Sequence, residues 1–225
     1  PIEVKVGFGN NGKEKEKTTG GRYQLITIPN LQAPYPKLHD LVDEGFSALR
    51  DQIAKKVGWD FLATLESAYL PVTAPPDPQQ AMSWLFTGRG FSISDIPRQA
   101  GWVAVVREDF GAQTYWRVYV RVNSQSGDQG RPLHALPWDF NARHSESSQA
   151  YEEGGALAES VPGGYWIDFT TLAMEYGWER LPALSRWRTA FPSARFQEFI
   201  LREELTWQES MLEIYPPEAL ATPEP

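Results

Sequence analysis

Apolar residues recur every three to four positions most clearly at Leu38, Val42, Phe46, Leu49, Ile53 and Val57, and Gly58 follows directly. That period predicts an amphipathic helix over 38–57, ended by a glycine able to take the left-handed conformation. Further along, the period changes from helical to alternating. Residues 102–107 and 114–122 predict two strands joined across an Asp109-Phe110-Gly111-Ala112 turn. Side chains alternate along a strand, so Trp116, Val118, Val120 and Val122 share one face. Tyr115, Arg117, Tyr119 and Arg121 share the other. The first face predicts core. The second is an aromatic–arginine ladder, suited either to cross-strand decoration or to stacking and hydrogen bonding with a planar or anionic ligand.

The other segments give shorter signals. Residues 84–93 combine Trp84, Phe86, Phe91 and Ile93 with Gly88 and Gly90 and predict a turn entering a buried strand. Strands are predicted at 2–6, 23–28 and 61–65, and a proline-rich loop at 71–80. Lys13 to Lys17 alternate in sign, so 1–20 reads as a linker or hairpin. Residues 123–164 are polar and glycine-rich and predict a long excursion with little regular structure. Asp168 leads into a helix closed by Gly177, and Phe196, Phe199 and Ile200 predict another over 192–204. Thr206 and Glu209 form a capping box for a last helix ending before Pro216. The fold class expected is α+β: one domain over 21–215, a mainly antiparallel central sheet packed by helices, and a proline-rich linker tail at 216–225.

Composition narrows the function classes. At 225 residues with 41% hydrophobic and 22% charged residues, the chain can bury a substantial core. A net charge of −8 argues against a nucleic-acid or anionic-membrane surface. The absence of cysteine excludes disulfides, thiol catalysis and cysteine-ligated metals. No run approaches the roughly 18 apolar residues of a membrane span, so no membrane insertion is expected. The start at Pro1 is expected of a piece of a larger multidomain protein. His39 is expected to cap or pack. His134, Asp139 and His144 offer metal-ligating chemistry without a spacing that fixes them together.

Three segments, in order, resemble the zinc D-Ala-D-Ala carboxypeptidase and hedgehog-type fold: the helix 38–57 with the strand at Phe61, the stretch 84–93, and the run from Phe169 through Gly177-Trp178 to Trp187 and Arg195-Phe196. The family pattern is H-x-x-G-x-A-x-D. With its glycine on Gly88, its histidine falls on Leu85 and its aspartate on Ser92, while Arg195 stands at the third ligand position. None of the three suits zinc. The resemblance therefore implies a peptidase fold without its metal, with residues 95–165 as an insertion. The chain is also similar to extracellular bacterial domains found beside TolB-like β-propeller repeats, in the runs at Trp84–Arg89, 114–117 and 176–182.

Together these imply an extracytoplasmic, non-catalytic binding module for cell-wall (peptidoglycan) peptide, glycan or a protein partner, needing no cofactor or metal. Its expected binding residues are Trp84, Arg89, Tyr115, Arg117, Tyr119, Arg121, Trp187 and Arg195. One alternative is a metal-independent cell-wall hydrolase using a carboxylate pair drawn from Glu108, Asp109, Asp139 and Asp168. Another is a structural interaction domain without ligand.

Overall fold

The buried face of one helix organises the interior. In the computed structural model, which describes residues 23–72 and 83–220, this helix buries Phe46, Leu49, Ile53 and Val57. The predicted strand at 2–6, the alternating charges at 13–17 and most of the proline loop at 71–80 lie outside the described residues, as does the tail from 221.

In chain order the strands are β1 (Leu25–Thr27), β2 (Lys37–His39), β3 (Leu65–Ser67), β4 (Gly90–Ile93), β5 (Val103–Phe110) and β6 (Gln113–Arg121). They continue with β7 (Arg131–Pro132), β8 (Trp138–Asp139), β9 (Ala156–Leu157), β10 (Tyr165–Asp168), β11 (Glu179–Arg180) and β12 (Glu198–Ile200). The helices are α1 (Asp43–Val57), α2 (Ile96–Gln99), α3 (Ser148–Glu153), α4 (Phe169–Glu175), α5 (Trp207–Ile214) and α6 (Pro217–Leu220). The chain is α+β, but its described residues form two four-stranded antiparallel sheets rather than one central sheet. Their orders are β5-β6-β10-β7 and β11-β12-β4-β3, and β1-β2 and β8-β9 form small ribbons.

A single core joins the two sheets. Trp116, Val118 and Val120 of β6 belong to the same buried cluster as Phe91 of β4, Phe199 of β12 and the stripe of α1. Aromatic rings carry the contacts. Phe46 meets Phe91 edge-on at 5.1 Å, Phe91 meets Trp178 at 4.8 Å, and Phe169 meets Phe199 at 5.0 Å.

Several local predictions hold. Gly58 ends α1 in the left-handed conformation, Asp168 caps α4, and both halves of the Thr206–Glu209 capping box form. Others do not. The helix begins at Asp43, because Leu38 pairs with Ile26 in β2; Leu38 and Val42 are fully buried all the same, so the apolar period continues through a change of element. Strand 61–65 shifts to β3, with Phe61 and Leu62 buried in the turn before it. The helix over 192–204 is replaced by a single 3-10 turn, Phe191–Ala194, and strand β12. Arg195 adopts a left-handed conformation (φ 57°) that stops the helix, and Phe199 pairs instead with Phe91. The excursion 123–164 contributes β7, β8, β9 and α3 as short pieces.

Gly88 is the most constrained glycine of the strand-entry turn. At φ +68°, a Cβ there would lie 2.5 Å from Leu25 Cδ2 and 3.0 Å from the His39 backbone nitrogen. That nitrogen donates to the Gly88 carbonyl at 2.9 Å, so it is not free to retreat. Gly88→Ala is expected to lower stability by about 2 kcal/mol or more, from left-handed strain plus the clash. Gly45→Ala, in α1 with nothing within 4 Å of its Cβ, is expected to raise stability by about 0.5–1 kcal/mol. Urea unfolding of both variants checks this pair of opposite signs, and equal effects would contradict it.

Candidate functional site

The turn into β4 delivers a charge to the interior. The Ser83 hydroxyl caps a 3-10 turn at Trp84–Thr87, Gly88 reverses the chain, and Arg89 follows with no exposed surface. A buried guanidinium is tolerable only when it is paired and hydrogen-bonded. Arg89 Nε donates to Glu213 Oε2 at 2.8 Å, and Nη1 donates to Glu203 Oε2 at 2.9 Å and to the Leu201 carbonyl at 3.4 Å. Trp84 is buried against Leu181 and Ile200. Both residues were expected to bind ligand, and both face the interior.

His39 belongs to the same cluster and is fully buried. Its Nδ1 accepts the Leu41 N–H at 3.1 Å, which leaves the ring proton on Nε2. Nε2 lies 3.3 Å from Glu213 Oε2 but makes no hydrogen bond to it. Burial, then the nearby Arg89 charge, lower its pKa from 6.5 to about 3.

The ladder on β6 is real, and carboxylates hold one of its two arginines. Arg117 Nε donates to Glu108 Oε1 at 2.6 Å, and its Nη1 donates to Asp168 Oδ2 at 2.7 Å. Arg180 Nη1 pairs with Glu108 Oε2 at 2.6 Å, and its guanidinium lies 5.2 Å from the Tyr115 ring. Asp168 also accepts the Thr171 N–H at 2.9 Å as the cap of α4. Arg117 thus ties β5, β6 and the start of α4 together. Arg195 pairs with Glu198 at 2.9 Å. Arg121 differs: its guanidinium lies between Trp102 and Trp166, 5.9 and 6.0 Å from the ring centres, and meets no carboxylate among the described residues. Tyr119 is partly buried, and burial followed by the Asp168 charge raises its phenol pKa.

Glu108 and Asp168 therefore share one guanidinium, well within the about 10 Å span of a glycosidase pair. Burial pushes the Glu108 carboxyl up, but hydrogen bonds and charge from Arg117 and Arg180 outweigh it and hold the group below its ordinary range. A general acid needs the opposite shift.

A concave volume of about 400 Å³ opens at the far end of the β5–β6 hairpin, on the side opposite the ladder. Gly111 makes the tight turn in a left-handed conformation (φ 61°). The Ala183 N–H donates to the Thr114 carbonyl at 2.8 Å and brings the 183–188 segment up as the second wall. Arg107, Asp109, Leu184, Trp187 and Arg188 line the cleft between them. Trp187 is 3% exposed and acts as a floor. The Arg188 guanidinium lies 4.7 Å from its ring centre, and that of Arg107 lies 5.1 Å from both Trp187 and Trp138. Asp109 takes the Thr114 hydroxyl at 2.7 Å and Arg107 Nε at 3.1 Å. Burial raises its pKa, but these two hydrogen bonds and the arginine charges lower it more, so the carboxylate stays ionised. Arg188 Nε pairs with Glu153 at 3.2 Å. Of these groups, Trp187 alone is among the binding residues expected from the sequence. Arg107 and Arg188 have no pattern of their own, because the hairpin and a segment some eighty residues later meet only in the fold.

Leu85, Ser92 and Arg195 do not converge. Leu85 lies beyond the start of β4, where its carbonyl accepts the Leu70 N–H at 3.1 Å. Arg195 lies past the other end, beside Glu198, the cross-strand partner of Ser92. Asp139 caps the 3-10 turn Phe140–His144 through the Asn141 N–H at 2.8 Å. Among the described residues, no group of three His, Cys, Asp or Glu side chains is placed to hold a metal, and no helix is long and apolar enough to cross a membrane. Neither a scan against protein-family models nor searches of curated proteins and of solved structures finds a match.

The His39 shift carries a pH signature. A lowered histidine pKa means the unfolded chain takes up the proton first, so stability is complete above 6.5 and falls as pH drops toward about 3. The full span is worth on the order of 5 kcal/mol. Urea midpoints are expected to fall between pH 6.5 and 5, above the range where carboxylates begin to titrate. The His39→Gln variant is expected to lose that slope. An unchanged slope in the variant would contradict the assignment.

Proposed function

We propose that this chain is a non-catalytic binding module, positioned outside the cytoplasm, that holds a cell-wall peptide or glycan in the cleft between the β5–β6 hairpin end and residues 183–188. The supporting observation is the cleft itself. Its volume of about 400 Å³ falls within the roughly 300–1,000 Å³ of small-ligand sites, and charged groups fixed by an aromatic floor line it. Fixed guanidiniums lose little freedom when they meet a ligand, which favours binding.

A hydrolase using Glu108 and Asp168 is the second reading. Their proximity supports it, but the lowered Glu108 pKa and the double hold of Arg117 on both groups argue against a proton-donating role. A zinc-peptidase ancestry adds nothing to the binding reading, since Leu85 and Arg195 flank β4 at opposite ends.

Sedimentation with purified peptidoglycan tests the proposal. Wild type is expected to co-sediment, and Ala112→Trp, which fills the mouth of the cleft, is expected to weaken binding at least tenfold while leaving the unfolding midpoint near wild type. Undiminished binding by Ala112→Trp moves the ligand away from the cleft. No binding of wild type to wall material or its soluble fragments overturns the proposal in favour of a structural domain.

A further inference from the structure

The cleft displays one forked donor and one ionised acceptor that the protein leaves partly open. Arg188 Nε is taken by Glu153, and among the described residues neither Nη has a hydrogen-bond partner; its side chain is 39% exposed. Its guanidinium carbon lies over the Trp187 ring, 4.7 Å from the ring centre, which restricts its movement. A planar fork of this kind matches a carboxylate, which can take two parallel N–H bonds. Asp109 is 48% exposed and ionised, and beyond its Thr114 and Arg107 contacts it keeps lone pairs that accept hydroxyl protons. Its charge is already offset by Arg107 at 3.1 Å, so a ligand ammonium gains little there while a hydroxyl loses nothing. With Glu153 counted, two guanidiniums face two carboxylates, so the preference for a carboxylate rests on the open fork of Arg188 and not on a net charge of the cleft. Glu153 sits behind them, 3.2 Å from Arg188 and 3.8 Å from Arg107, and is not itself a lining residue.

We infer that the cleft selects an acidic saccharide, a sugar bearing a carboxylate, with Arg188 taking the carboxylate and Asp109 taking ring hydroxyls. This rests on the reading of the cleft as the ligand site and names the chemistry it prefers over neutral sugars and free peptides. Arg107, between Trp138 and Trp187, acts as a positioning residue that holds Asp109.

The test is calorimetric titration with three probes: a disaccharide containing glucuronate, the corresponding neutral glucose disaccharide, and the zwitterionic dipeptide alanylalanine. The glucuronate sugar is expected to bind at least tenfold more tightly than the other two and to weaken as salt is raised. Arg188→Gln is expected to bring the acidic sugar down to the neutral one. Asp109→Asn is expected to weaken both sugars together, a change that mere loss of net charge would not cause. Equal affinity for the neutral sugar, or tighter binding of the dipeptide, overturns the inference. If wall fragments bind in the cleft and the uronate does not, the saccharide assignment falls while the binding-module reading stands. If Ala112→Trp leaves wall binding undiminished, the cleft is not the ligand site and the saccharide inference falls with it, while wall binding by the domain stands.

Discussion

A guanidinium with no exposed surface, held by Glu213 and Glu203, is the interaction the rest of this structure has to accommodate. Moving an arginine out of water is costly, and the cost is offset only if several groups arrive together. Arg89 sits immediately before β4, Glu203 just after β12, and Glu213 in the last turn of α5. One side chain thus fixes the position of α5 against the second sheet. His39 closes the cluster from β2, and its backbone nitrogen is bonded to Gly88, which is why that position excludes a Cβ. Burial first, and then the arginine beside it, keeps this histidine neutral.

The same logic runs through the first sheet at higher exposure. Arg117 and Arg180 bridge Glu108 and Asp168 with side chains about a quarter exposed or less, so each bond is worth less than its buried counterpart in the Arg89 cluster. Their joint effect is to fix register and to seat α4, whose first turn Asp168 also caps. Charges engaged in this way are poorly suited to ligand recognition. A ligand that displaced Glu108 from Arg117 would have to replace several short hydrogen bonds. Aromatic rings steady the arginines of the cleft as they do Arg121; what sets the cleft apart is a concave wall in which Arg188 keeps hydrogen-bonding capacity that the described residues do not use.

What the sequence made legible was local. The left-handed glycines at 58 and 88, the capping box at Thr206 and the alternation along β6 depend on neighbours within a few residues, and each formed as its chemistry requires. The start of α1 was not legible, because the apolar period runs unbroken from Leu38 while pairing with β1 takes Leu38 into a strand. β12 was misread for the same reason: Phe196, Phe199 and Ile200 suit a helix, and only the left-handed Arg195 and the partner strands β4 and β11 decide otherwise. The roles of the arginines lay furthest out of reach. Arg89 finds Glu213 across 124 positions and Arg117 finds Asp168 across 51, so no spacing rule separates a structural arginine from a binding one. The cleft residues Arg107 and Arg188 went unmarked because neither lies in a distinctive run.

The division of labour between an engaged outer ladder and an open cleft can be read directly by backbone-amide NMR during titration with soluble peptidoglycan fragments. Shifts are expected to concentrate at Asp109, Ala112, Ser185 and Arg188, with Tyr119, Arg121 and Asp168 unmoved. Shifts centred on Tyr119, Arg121 and Asp168, with the cleft amides silent, would contradict it.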